Sequence, residues 1–141
     1  MRDVPLTRKD FQRLSELRVR EAAALLRTRN LAGSYYLSGY AIECALKACI
    51  AKTARRHEFP LKADYARRVY THDLKELLKL ADLEAQLESE MKTNIALARN
   101  WGVVKGWNQE SRYRVSGLNG KDLLGAVTGT DGILPWIKQR W

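Results

Sequence analysis

Apolar residues recur at spacings of three and four along nearly the whole chain, the repeat that lines one side of an α-helix. Phe11, Leu14, Leu17, Ala22, Leu25 and Leu26 form the apolar side of a first helix that runs to about Asn30. Thr7, with Asp10 three residues on, has the pattern of a capping box at its start. A second helix is predicted over Leu31–Arg55, with one stripe of Tyr35, Gly39, Ile42, Leu46, Cys49 and Thr53. A neighbouring stripe, Ser38, Ala41, Ala45 and Ala48, is all small and allows another helix to approach closely, so this is the expected centre of the molecule. Pro60 breaks the pattern, and Tyr65–Val69 is a candidate short helix.

Thr71 is expected to cap a helix bearing Leu74, Leu77, Leu78 and Ala81, with Asp73 in its first turn. Asp82 is expected to cap a long helix carrying Leu83, Leu87, Met91, Ile95, Ala98 and Trp101. Residues 106–120 are polar and irregular. A last helix from about Lys121 carries Leu123, Leu124, Val127, Leu134, Ile137 and Trp141, and is kinked or broken by Gly129, Gly132 and Pro135. No segment alternates with period two, so no sheet is expected. The prediction is all-α: an up-and-down bundle of four to five helices, one domain over 1–141 with its core from about residue 6.

The 141 residues suffice to bury a core without metals or disulfides. At 45% hydrophobic and 29% charged, the composition argues against general disorder. No run of about eighteen apolar residues predicts a membrane span. The polar stretch Met1–Asp10 lacks the apolar region of a secretory signal, so a cytoplasmic location is the default. Cys44 and Cys49, five residues apart in one helix, point to different faces and read as small buried hydrophobes. With two histidines and no zinc-like spacing, neither a metal site nor a cofactor is expected. The net charge of +9 changes the picture more. It raises the expectation of an anionic partner such as nucleic acid, and Arg8, Lys9, Arg13, Arg18, Arg20, Arg27 and Arg29 make the first helix strongly basic.

Three segments carry a resemblance: Gly39-Tyr40-Ala41-Ile42-Glu43-Cys44-Ala45-Leu46-Lys47-Ala48; Thr71-His72-Asp73-Leu74-Lys75-Glu76-Leu77-Leu78; and Trp107 through Ser111-Arg112-Tyr113, followed by Trp136-Ile137-Lys138 and Trp141. In order and spacing they resemble the HEPN family (higher eukaryote and prokaryote nucleotide-binding domains) over roughly Leu6–Trp141. The resemblance implies a bundle of four to five helices and frequent homodimers. It also implies one of two roles: an RNase of a toxin–antitoxin or defence system, or an inactive relative that binds nucleotides, RNA or a cognate partner protein. Membership alone does not choose between them, and a purely structural dimerisation module is a third reading.

Active HEPN RNases resemble one another in an Arg, a polar residue, and a His four to six residues after the Arg. Cleaving RNA without a metal needs proton transfer, which suits His, while Arg grips phosphate. Arg99-Asn100-Trp101-Gly102-Val103-Val104-Lys105 is similar to that motif, with Lys105 where the His is expected. A lysine of ordinary pKa, about 10.4, binds phosphate but is a poor proton shuttle. The motif therefore reads as degenerate, and its residues could equally be solvated groups near a helix end. A rival pair, Arg67 and His72, fits the spacing but lies outside the matching segment, where His72 reads as structural. The remaining expectations concern binding. Glu43 and Lys47 form either a surface i,i+4 pair or, as the resemblance implies, an acidic residue that orients Arg99 across a cleft. Arg112 and Tyr113 either stack on an exposed base or, with Trp107, pack against the bundle.

Overall fold

The computed structural model describes residues 6–57 and 67–141, with side chains for 6–53 and 67–141. Pro60 and the first part of Tyr65–Val69 lie outside the described residues. Among those described, the chain has a helical stretch at 67–69, seven further α-helices, one 3-10 helix and no strand. The elements are α1 (Arg8–Arg27), α2 (Leu31–His57), α3 (Leu74–Leu80), α4 (Glu84–Met91), α5 (Ile95–Val104), a 3-10 helix (Gln109–Tyr113), α6 (Gly120–Thr128) and α7 (Ile133–Lys138). The all-α prediction holds. The helix count exceeds four to five because two of the expected long helices are broken.

α1 starts at the expected capping box: Thr7 accepts from the Asp10 amide and Asp10 accepts from the Thr7 amide. Of its expected apolar side, Leu17 is exposed, whereas Val19 packs against the core. A three-residue link returns the chain antiparallel as α2. The Ser15 hydroxyl donates to the Ala41 carbonyl at 2.7 Å and the Ser34 hydroxyl to the Ala22 carbonyl at 2.9 Å, which locks the two helices together. The small-residue stripe Ser38, Ala41, Ala45 and Ala48 is fully buried within the single chain. It therefore offers no outer face for a second copy. α2 is central: α1, α3, α6, α7 and the 3-10 helix all pack on it. Ile42, Leu46, Cys49 and Ile50 meet Leu74, Leu77, Leu123, Ile133 and Ile137 in one core.

Three expected caps or continuations are corrected. Asp73, not Thr71, caps α3, its carboxylate accepting from the Lys75 and Glu76 amides at 2.9 and 3.2 Å. A carboxylate is the stronger acceptor and also meets the positive end of the helix. Asp82 closes α3 instead of starting α4. At φ 60° it adopts the left-handed conformation and lets the Leu83 amide reach the Leu78 carbonyl. The predicted 82–101 helix breaks at Lys92–Asn94, where Asn94 caps α5 through the Leu97 amide at 3.0 Å. The break resets the register, so Leu97 is buried and Ile95 is 68% exposed. The expected last helix breaks at Gly129–Gly132, where a Cβ on Gly132 would sit 2.7 Å from two carbonyl oxygens. Pro135 then falls in the first turn of α7, where a missing N–H leaves no helix bond unmade. No helix of the described residues is long and apolar enough to cross a membrane.

Candidate functional site

The packing of α2, α3 and the 107–110 segment creates a cleft of about 330 Å³. Its walls hold His72, Asp73 and Lys75 from the start of α3, and Lys105 through Glu110 from the end of α5 onward. His72 and Lys105, read from sequence as belonging to competing motifs, thus share one cavity. Lys105 is brought there as the C-cap of α5, whose amide bonds to the Trp101 and Val103 carbonyls.

Behind the cleft lies Glu43, only 2% exposed on α2. One carboxylate oxygen sits 2.9 Å from His72 Nδ1, and the other accepts from Lys47 Nζ at 3.3 Å. Among the described residues these are its partners; Arg99 is not one of them, so Glu43 does not orient Arg99. An ionised carboxylate only accepts, so in a contact with ionised Glu43 it is His72 Nδ1 that carries the proton, and Nε2 is left facing away from Glu43. Lys47 is largely buried in this pair rather than turned to a ligand. The i,i+4 reading of Glu43 and Lys47 is thus right in geometry, but the pair is interior instead of superficial.

Trp107 forms one wall and determines how the segment sits. Its ring lies against Gly39 so closely that a Cβ there would stand 2.2 Å from the indole. It also lies 6.0 Å from the Tyr36 ring. Trp107 therefore packs on the bundle, whereas Tyr113, expected beside it in that reading, is 70% exposed. The Arg112 guanidinium covers the Tyr113 ring at 4.8 Å and donates to its hydroxyl at 3.0 Å. That hydrogen bond raises the pKa of Arg112 further above its already high ordinary value.

The other motif residues disperse. Arg99 is exposed and stands six residues before Lys105, which rotates it by about 120° around the helix from the cleft. It does not line the cavity. Asn100 is occupied elsewhere: its amide donates to the Thr130 and Asp131 carbonyls at 3.2 and 2.8 Å, pinning the α6–α7 link. Arg67 is exposed in the helical stretch 67–69 that precedes His72 and does not line the cleft. The structure thus joins His72, Glu43 and Lys105, and separates them from Arg99, Asn100 and Arg67.

The cleft is not uniformly cationic. Lys75 and Lys105 face Asp73 and Glu110, but the Asp73 carboxylate is engaged by the backbone amides of α3. Among the described residues no group of three or more His, Cys, Asp or Glu gathers in a way that could hold a metal. Sequence reasoning missed the Glu43–His72 contact. Its signal was an acid placed amid the most apolar stretch of α2, which requires an interior partner. Searches against protein-family models, curated proteins and solved structures found no match to this chain.

Proposed function

We propose that this is a HEPN-like domain that binds RNA or nucleotide phosphate in the His72–Lys105 cleft, with a degenerate Arg99–Lys105 motif. The observation that carries the reading is the convergence of Lys75, Lys105 and His72 on one cavity. Two ammonium groups and a protonatable ring there suit a phosphodiester, whose charge the net +9 of the chain draws in. The three segments behind the HEPN resemblance also meet at this place. Glu43 of the first holds His72 of the second, and Gly39 of the first seats Trp107 of the third. A homodimer, a cognate partner protein and a toxin–antitoxin or defence setting follow from that resemblance alone.

The test is RNA binding against salt. Wild type should bind single-stranded RNA at low salt and lose affinity steeply as salt rises. Lys75→Ala and Lys105→Ala should each weaken binding and reduce the log–log salt slope by about one. Arg99→Ala serves as a comparison outside the cleft. No binding at low salt, or binding indifferent to both lysine changes, would overturn the proposal.

A second reading, metal-independent RNA cleavage, is favoured by the Glu43–His72 contact. A carboxylate behind Nδ1 leaves Nε2 able to accept the 2′-hydroxyl proton. The 2′-oxygen would then bond phosphorus as the P–O5′ bond breaks. The products are a 2′,3′-cyclic phosphate and a 5′-hydroxyl, whose proton comes from Lys105 or water. Under the binding reading, labelled RNA stays intact in EDTA. Cleavage lost in His72→Ala but kept in Arg67→Ala would establish the second reading instead.

A further inference from the structure

The 3-10 helix that leaves the cleft ends on an aromatic side chain that the bundle does not bury. Tyr113 is 70% exposed, and Val115 beyond it is 92% exposed. Tyr113 is held in place nonetheless. The turn is closed by the Arg114 amide on the Ser111 carbonyl at 3.0 Å. Arg112 lies over one face of its ring. The segment is anchored at its other end by Trp107 seated on Gly39. An ordered, solvent-facing phenol ring with Arg112 over it and Arg114 next in sequence is poorly explained by core packing. It has the components of a stacking platform: a flat π surface, and cations beside it for the adjoining phosphates.

From its place beyond the cleft, we propose that Tyr113, backed by Arg112, stacks an unpaired nucleobase of a strand whose phosphate lies at Lys75 and Lys105. The distances suit this. From Gln109 in the cleft wall to Tyr113 is four residues of 3-10 helix, about 8 Å at roughly 2 Å each. That is about two nucleotides at the 3.4 Å spacing of a stacked strand. Phosphate in the cleft and a base on Tyr113 would thus lie about two nucleotides apart on one strand. A duplex cannot satisfy both contacts, because its bases are stacked on each other and paired. The site therefore selects single strands, with little preference among bases, since every base has a π face.

The inference rests on the cleft as a phosphate site, and the experiment separates the two. Affinities of the full chain are measured for inorganic polyphosphate, a single-stranded oligouridylate, a single-stranded oligoadenylate and a paired RNA duplex. Wild type, Tyr113→Ala, Tyr113→Phe and Lys105→Ala are compared. The expected result is that Tyr113→Ala weakens both single strands about tenfold and leaves polyphosphate and duplex within about twofold. Tyr113→Phe should match wild type, and Lys105→Ala should weaken every ligand. If polyphosphate binds but Tyr113→Ala leaves the single strands unchanged, the stacking site falls while the cleft stands. A docking role of Tyr113 for a protein would give that same result. Equal wild-type affinity for duplex and single strand also overturns it. If nothing binds at low salt, the cleft proposal fails and takes this one with it.

Discussion

Trp107 lies against Gly39 with no room for a methyl group between them: a Cβ at position 39 would stand 2.2 Å from the indole. This contact joins the middle of α2 to the segment that walls the cleft, and it ties the shape of the site to a single backbone position. Gly39→Ala should therefore force Trp107 outward. The expected cost is about 1–3 kcal/mol, as for other over-packed cores. Urea denaturation checks it, and Trp fluorescence should shift to the red as the ring gains solvent. An unchanged midpoint and spectrum would mean the helix absorbs the methyl without moving Trp107.

Glu43 and His72 should differ sharply in their stability effects. Removing Glu43 leaves Lys47 facing inward without its partner, and breaking a buried pair typically costs about 3–5 kcal/mol. Removing His72, whose side chain is 40% exposed, should cost about 1 kcal/mol. Chemical denaturation of Glu43→Ala and His72→Ala measures both. Equal losses would show that the imidazole, and not the ammonium, is the essential partner of the carboxylate.

Asn100 holds two carbonyls of the α6–α7 link, so its role is structural. Asn100→Ala should destabilise the fold by about 0.5–1.5 kcal/mol through the lost hydrogen bonds, since the exposed carbonyls then turn to water. RNA affinity, measured where the variant is folded, should stay within about twofold of wild type. A tenfold loss of affinity without loss of stability would return Asn100 to the binding site.

The two thiols should make the protein sensitive to alkali. Burial pushes Cys44 up to about 12 and Cys49 up to about 11, from 9.0. The unfolded thiols ionise first, so between pH 9 and the folded values the native state holds more protons than the unfolded one. Stability is then full below about pH 9 and falls as pH rises, by at most about 1.4 kcal/mol per pH unit for each thiol. Denaturation midpoints from pH 8 to 11 test this, with Cys44→Ala and Cys49→Ala expected to flatten the decline. Alkylation of the native protein at pH 8 should likewise be slow, and should become fast in denaturant. Rapid alkylation of the folded chain would contradict the burial.

Much of the fold was legible because it follows from local rules. Helical periodicity fixed the all-α class, and the Thr7–Asp10 capping box and the central place of α2 needed only nearby residues or one helix face. Breaks were less legible. Asn94 and Asp82 are polar residues that can sit inside a helix, cap one or close one. The decision between these depends on hydrogen bonds to Leu97 and on the backbone turn before Leu83.

The site depended still more on tertiary structure. From sequence, residue types and spacing supplied a cation at Lys105, an acid at Glu43 and a histidine at position 72, but spacing assigned them to rival motifs. Only the packing of α3 and the 3-10 segment on α2, with α5 set against α6, placed His72 against Glu43 and opened its cleft to Lys105, while helix rotation turned Arg99 away. Periodicity is set by the backbone and is written locally. The meeting of side chains 29 and 33 residues apart is set by how helices pack and by whether a buried carboxylate finds a partner, and no local pattern encodes either.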